Sequence, residues 1–379
     1  MLAQTLCSLL LLPTGIRKAY AQSTSSSTIA CNNSPSLCDR AYNNVTYLGA
    51  HNSPFVRDAS NNYDISGNQY YNSTAQLAAG VRLLSAQVQT NSSSGELHVC
   101  HTSCSLFDAG KLSDWLSEVN DWLMDNPDDV VTVLLVNGAD ASASDLAAEY
   151  ETAGISDIAY TPSSSSGNSS TSTVSSTAAS ASSTASADWP TLQALINSGT
   201  RMLNFVADLD DNSGAAYLMN EFDYIFENDY DNVSPTAYSC EPDRPSSVAN
   251  DTQQALDQGL MPLMNHFLYV EVVALDIQYP NATYVTTTNA PNGGTGNLGA
   301  SASRCTSEYG RAPTFILVDF FNVGPAIETV DRLNGVTRPV GRTSVADEVM
   351  STSGATTARL HAGMAMLCLT VWVMLLGVA

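Results

Sequence analysis

Short β-branched runs alternate with helical patterns along most of the chain. Val45 to Ala50 and Val81 to Val88 read as strands on either side of a short helix over Ala75 to Ala79, and Leu97 to Cys100 reads as a third strand. Leu112, Trp115, Leu116, Val119, Trp122 and Leu123 recur at helical spacing, which predicts a helix over Ser113 to Met124 that Asn126-Pro127 stops. Val130 to Val136 is almost continuously apolar, the pattern of a strand buried on both faces, and a helix follows over Ser142 to Glu151. Beyond Trp189-Pro190, a helix over Thr191 to Asn197 leads into another buried strand, Arg201 to Ala207. Tyr224 to Phe226, Leu260 to Met264 and Phe315 to Phe320 read as further strands, and Thr252 to Gln258 and Pro325 to Leu333 as helices. About eight strands with helices between them, and no nucleotide-type glycine loop, predict an α/β chain folded as a single-domain (β/α) TIM-type barrel. An open doubly wound sheet is the alternative.

Three stretches depart from this pattern. Ser163 to Ser186 is nearly all Ser, Thr and Ala, cannot build a core, and reads as an O-glycosylated low-complexity loop inserted into the barrel. Leu2 to Leu12 is mostly apolar, Pro13 breaks it, and Ala19-Tyr20-Ala21 offers a small-x-small site, so residues 1–21 read as a secretory signal peptide. Arg17 and Lys18 follow the apolar run instead of preceding it, which keeps a transit peptide as the alternative. Ala362 to Ala379 carries no charge and stands behind the small residues Ser353-Gly354-Ala355 and the spacer Thr356 to His361. That order is expected of a GPI-attachment signal over 354–379, with a tail-anchoring helix as the alternative. Between the two ends lie an N-terminal segment 22–41, the barrel 42–342 and a stalk 343–353.

Charge and cysteine usage narrow the setting. The chain has 37 acidic against 14 basic side chains, a formal charge of −23, and loss of both ends takes Arg17, Lys18 and Arg359 but no acid. Such a surface excludes a nucleic-acid partner and suits an acidic extracellular space or a charged cell wall. Cys7 and Cys368 go with the ends, leaving Cys31, Cys38, Cys100, Cys104, Cys240 and Cys305. An even count in a secreted chain reads as disulfides; six cysteines permit fifteen pairings, of which proximity favours Cys31 with Cys38, Cys100 with Cys104, and Cys240 with Cys305. None has the spacing or the histidine company of a zinc site. Sequons at Asn32, Asn44, Asn72, Asn91, Asn168, Asn232, Asn250 and Asn281 fit a glycosylated exterior.

In a parallel barrel the chemistry sits at the C-terminal ends of the strands. His51-Asn52 follows the first expected strand, Gln87 ends the second, His101 follows the third and Asp319 ends the last. Two histidines placed so can supply the general base and general acid that a phosphoester needs on opposite sides of the reacting centre. His266, in Met264-Asn265-His266-Phe267, is divided between core and pocket. Asp208 to Asp211 reads as a solvated acidic loop, and the aromatic run Tyr224 to Tyr230 as packing or as a rim for lipid or sugar. No Ser-His-Asp signature is present.

These residues also carry a resemblance. Tyr47-Leu48-Gly49-Ala50-His51-Asn52-Ser53, Gly80-Val81-Arg82-Leu83-Leu84 and Leu97-His98-Val99-Cys100-His101 resemble the X-domain of phosphatidylinositol-specific phospholipases C. Asn126-Pro127-Asp128-Asp129-Val130-Val131 and Val318-Asp319-Phe320 extend the likeness, which is nearest to the fungal PLC-like phosphodiesterases and covers about Tyr42 to Arg342. The resemblance implies that His51 takes a proton from the attacking inositol hydroxyl, that His101 protonates the departing diacylglycerol oxygen, and that Asp319 orients His51. Where bacterial members have an arginine, and calcium-dependent members a carboxylate pair, this chain has Ser85 and Gln87. Asn52 matches a calcium ligand and Asn137 replaces a glutamate, so Asn52, Gln87 and Asn137 would bind calcium weakly at best, and no metal or cofactor is expected. With His266 these three are the candidate substrate-binding residues, and Arg82 is expected to face away from the mouth. Two readings follow: a surface-anchored phosphodiesterase acting on a phosphodiester lipid or glycan, or a catalytically weak barrel that binds phosphorylated glycan or lipid head groups.

Overall fold

The computed structural model describes residues 29–162, 189–272, 274 and 277–350. The expected signal peptide, the Ser163 to Ser186 segment and the GPI-attachment signal lie outside them.

The strands are β1 (Tyr47–Ala50), β2 (Leu83–Thr90), β3 (Leu97–His101), β4 (Phe107–Lys111), β5 (Val131–Asn137), β6 (Met202–Ala207), β7 (Leu218–Asn220), β8 (Ile225–Glu227), β9 (Met261–Asn265), β10 (Tyr269–Val272), β11 (Ile277–Pro280) and β12 (Phe315–Val318). The helices are α1 (Ser73–Ala78), α2 (Leu112–Asp125), α3 (Ala143–Thr152), α4 (Leu192–Ser198), α5 (Thr252–Asp257), α6 (Val285–Thr288), α7 (Leu298–Tyr309) and α8 (Ala326–Asn334). Eight strands pair side by side in the order β7-β6-β5-β2-β1-β12-β9-β8, every junction parallel. The curled sheet follows chain order and closes β12 onto β1, as a (β/α) barrel does. Among the described residues no ladder joins β7 to β8, so the barrel has an open seam there.

Both faces of the sheet are dry, which is why its strands read as unbroken apolar runs. Tyr47, Leu83, Leu134, Phe205, Ile225, Leu263 and Leu317 point inward and form one core. Leu48, Leu84, Val133, Val206, Met264 and Ile316 point outward and pack against Leu116, Val119 and Leu146 of the helices. At Gly49 a Cβ would stand 2.7 Å from Leu317 and 2.8 Å from Leu83, so only glycine lets β1 pass between those side chains.

Two departures from the sequence pattern matter for the site. Leu97 to Cys100 is not a barrel strand: β3 runs antiparallel to the overhanging end of β2 and makes a hairpin with β4, which hangs His101 over the barrel instead of ending a parallel strand. The vacant barrel position is taken by β7, whose three residues are too few to show a period. Helix α7 was also illegible, because small residues such as Gly299, Ala300, Ser301 and Ala302 give it no apolar stripe.

The base of the barrel is held by Arg82, whose side chain lies at the end opposite the mouth, as expected. It is buried and all its N–H groups are used: Nε and Nη2 donate to Asp129 Oδ1 at 3.1 and 2.7 Å, Nη1 to the carbonyls of Leu77 and Val81, and Nη2 also to Asn33 Oδ1. The three disulfides are Cys31–Cys38, Cys100–Cys104 and Cys240–Cys305, the pairing that proximity favoured. Two sequons are closed by the fold: Asn32 is buried with Oδ1 accepting the Val130 N–H at 2.7 Å, and Asn232 is buried with Nδ2 donating to the Asp229 carbonyl at 2.8 Å. Glycopeptide mapping of the mature protein is expected to find both unmodified, and a glycan at either would contradict this packing.

Candidate active site

The parallel register pairs Ala50 with Val318, so the next residues, His51 and Asp319, arrive side by side at the mouth. His51 Nδ1 lies 2.8 Å from Asp319 Oδ1, and the imidazole lies flat on Phe267, with ring centroids 3.8 Å apart and planes 3° from parallel. An imidazole that gives its Nδ1–H to a buried carboxylate keeps Nε2 as the basic nitrogen.

His101 comes from the hairpin above. Its ring stacks on Phe55 at 5.1 Å, and the Cys100–Cys104 disulfide closes a small ring of backbone around it. Burial, reinforced by repulsion from His51 and partly offset by Asp319, pushes His101 down to about 4. It is therefore uncharged near neutrality. Its Nδ1 is buried without a partner among the described residues.

The residue after each of these three groups is left-handed: Asn52 at φ 50°, Thr102 at 60° and Phe320 at 44°. For a phenylalanine this conformation is costly, and sharp turns of this kind let each side chain end its strand while the backbone veers away from the mouth. His101 and Gln87 line a cleft of about 300 Å³ with Thr102, Tyr269, Glu271 and Gln278, roofed by the β10–β11 hairpin.

The other expected binding residues divide. Asn52 is buried and gives its backbone N–H to Ser85 Oγ at 2.9 Å, while its Nδ2 has no partner among the described residues. Gln87 Oε1 accepts the Thr102 N–H at 2.7 Å, which ties the hairpin to the barrel. Asn137 turns back on its own loop, Oδ1 and Nδ2 both bonded to the backbone of Ala141 at 3.0 Å. With two of the three oxygens committed to backbone N–H groups and no carboxylate among them, Asn52, Gln87 and Asn137 do not make a calcium site. His266 is fully buried behind the sheet, bonded through Nε2 to the Thr288 carbonyl at 3.0 Å and packed on Tyr238; burial pushes it down to about 4. It belongs to the core and does not reach the mouth.

Asp208, Asp210 and Asp211 are exposed along an open cleft of about 390 Å³ shared with Asp140, in keeping with a solvated loop. Of the aromatic run, half-buried Tyr224 packs on Trp189 and Phe205, Phe226 is buried, and Tyr230 is exposed, lying under the Arg244 guanidinium at 4.5 Å.

Several residues at the mouth gave no signal in the sequence. Glu227, at the inward-facing end of β8, pairs with Arg244 and accepts from Asn265 Nδ2 at 3.2 Å. Arg244 reaches it from a long loop with no periodicity, so only the fold brings this cation to the barrel. Phe267, one residue past His266, carries no polar group to mark it and forms the flat surface under the His51 ring. Asn68 and Gln69, in the irregular chain between β1 and α1, bond to Asp319 and to the carbonyl of His51.

The PI-PLC X family model matches residues 37–334. The chain belongs to the PI-PLC X family. Two proteins of Arthroderma benhamiae are similar to it. One, described as an uncharacterized secreted protein, is 35% identical over 91% of this chain and 73% of its own. The other, PI-PLC X domain-containing protein 1, is 34% identical over 81% of this chain and 90% of its own. Among solved structures, the phosphatidylinositol-specific phospholipase C of Listeria monocytogenes aligns at a TM-score of 0.48 and 13% identity, covering 79% of this chain and 95% of that one. A Staphylococcus aureus phosphatidylinositol-specific phospholipase C mutant aligns at 0.49 and 12%, covering 82% and 99%.

Proposed function

We propose that this PI-PLC X protein is a secreted, surface-anchored phosphoric diester hydrolase of the phospholipase C type, acting on an inositol phospholipid or a related phosphodiester. The observation that carries the reading is the His51–Asp319 pair at 2.8 Å with a second imidazole, His101, near enough to feel its charge. His51 Nε2 takes the proton of a head-group hydroxyl, and that oxygen attacks phosphorus. The bond to the glycerol oxygen breaks, and His101 gives that oxygen a proton. The products are a cyclic phosphodiester and a diacylglycerol, after which water, activated through the same pair in reverse, opens the ring. Arg244, the more exposed partner of the Glu227–Arg244 pair, offers a hydrogen bond to a ring hydroxyl, with buried Glu227 and Asn265 holding it in place.

An approaching diester anion raises His101 toward protonation, so binding prepares the acid. The missing cation beside the phosphorus costs rate, because electrostatic stabilisation of the phosphoryl oxygens is ordinarily the largest contribution. The depressed His101 favours the second reading, a barrel that binds phosphorylated head groups and turns them over weakly. Secretion is supported by the three disulfides and by the secreted relative. The mature chain is read as 22–353, with the barrel over 42–342 and a GPI anchor after it.

Product release should be measured on vesicles of phosphatidylinositol and on a panel of soluble phosphodiesters, with calcium and with a chelator. Slow release of equal rate in both is expected. A strict calcium requirement would contradict a mouth whose Asn52, Gln87 and Asn137 supply no carboxylate, and no release from any diester by folded protein would transfer the assignment to the binding reading.

A further inference from the structure

The loop between β1 and α1 returns to the mouth at Asn68 and Gln69, and both side chains are fully buried. Asn68 Nδ2 donates to Asp319 Oδ1 at 2.9 Å, the same oxygen that lies 2.8 Å from His51 Nδ1, and it also approaches Nδ1 itself to 3.3 Å. The Asn68 carbonyl accepts the Phe320 N–H at 2.8 Å, so the residue grips both the side chain of Asp319 and the backbone just after it. Gln69 does the complementary work: Nε2 donates to the carbonyls of His51 and Val318 at 2.8 and 3.0 Å, and Oε1 accepts the Phe321 N–H at 3.1 Å.

Asp319 Oδ2 is buried without a partner among the described residues. Among the described residues, everything that fixes the plane of this carboxylate therefore converges on Oδ1, where two donors meet. One of them, the His51 ring, is the group whose orientation the carboxylate has to set. A single hydrogen bond leaves a carboxylate free to rock about its own Cβ–Cγ bond, and the second donor removes that freedom. We propose that Asn68 is a positioning residue: it locks the Asp319 carboxylate so that Oδ1 stays in line with His51 Nδ1 and Nε2 stays aimed at the mouth. The kinetic consequence rests on the reading of His51 as a base; the structural one does not.

The test compares the full secreted protein with Asn68→Ala and with the nearly isosteric Asn68→Asp. By proton NMR, the parent is expected to show a far-downfield His51 Nδ1–H resonance, and folded Asn68→Ala to show it broadened or moved upfield. This measurement needs no activity, so it decides the proposal even if no substrate is turned over. On a turned-over diester, Asn68→Ala should lose about tenfold in kcat with KM within about twofold, since a hydrogen bond to a charged group is lost without any change in substrate contact. In Asn68→Asp the new carboxyl can donate to Asp319 only while protonated, and once ionised it repels that group. The titratable groups facing it are Asp319, His51 and, across the mouth, His101. Its kcat should therefore approach the parent's at acid pH and fall away as pH rises, a change of profile that a merely structural residue would not produce. An unmoved His51 resonance in folded Asn68→Ala, or a profile for Asn68→Asp that differs from the parent's only in height, would overturn the proposal.

Discussion

Replacing His51 or His101 by alanine is expected to lower kcat for a phosphodiester by about 10²-fold or more, without unfolding the protein. Each ring is held by stacking and one hydrogen bond or by a disulfide ring, not by a role in the sheet, so its loss removes a proton carrier and little packing. His51→Ala leaves no base for the attacking hydroxyl, and His101→Ala leaves the departing oxygen to leave as an anion. The two should combine non-additively, since either half of a proton relay is of little use without the other. A diester with a good leaving group, such as a nitrophenyl ester, should rescue His101→Ala far more than His51→Ala. Equal rescue of both would reverse the assignment of acid and base.

The largest effect on stability is expected at the opposite end of the barrel. Asp129→Ala strands the buried Arg82 guanidinium, whose Nε and Nη2 both lean on Asp129 Oδ1. The carbonyls of Leu77 and Val81 and Asn33 Oδ1 remain, but none of them carries charge. Breaking a buried pair on one side costs about 3–5 kcal/mol, which a urea titration reads as a fall in midpoint at constant slope. A change below about 1 kcal/mol would show that Arg82 is compensated elsewhere.

Much of the fold could be read from the residues because the barrel's strands are buried on both faces. Val130 to Val136 and Arg201 to Ala207 stand out as apolar runs and appear almost unchanged as β5 and β6. What could not be read was pairing. Leu97 to Cys100 has the composition of a strand, and nothing in it says that its partner is the overhang of β2 and that it runs antiparallel. The site was legible where a residue sits at a strand end, as His51 and Asp319 do. It was hidden where a loop delivers the group: Asn68, Gln69 and Arg244 lie in stretches without period, and their positions depend on contacts far apart in the chain. His266 misled because its neighbour Asn265 faces the mouth, and the alternation of a strand turns His266 to the helices.

The central claim, that His51 and His101 work as a base and acid pair, is tested most directly by the pH dependence of kcat/KM for one phosphodiester. Both kinetic limbs belong to the pair in the free enzyme. Because burial pushes His101 down to about 4, the acid-side limb is predicted near that value, well below an ordinary histidine, with a second fall on the alkaline side. In His101→Ala the requirement for a protonated acid is gone, so the alkaline fall should vanish and a single limb, rising with pH, should remain. A parent profile that already has one rising limb, or an acid limb near 6.5 that His101→Ala leaves in place, would contradict the account.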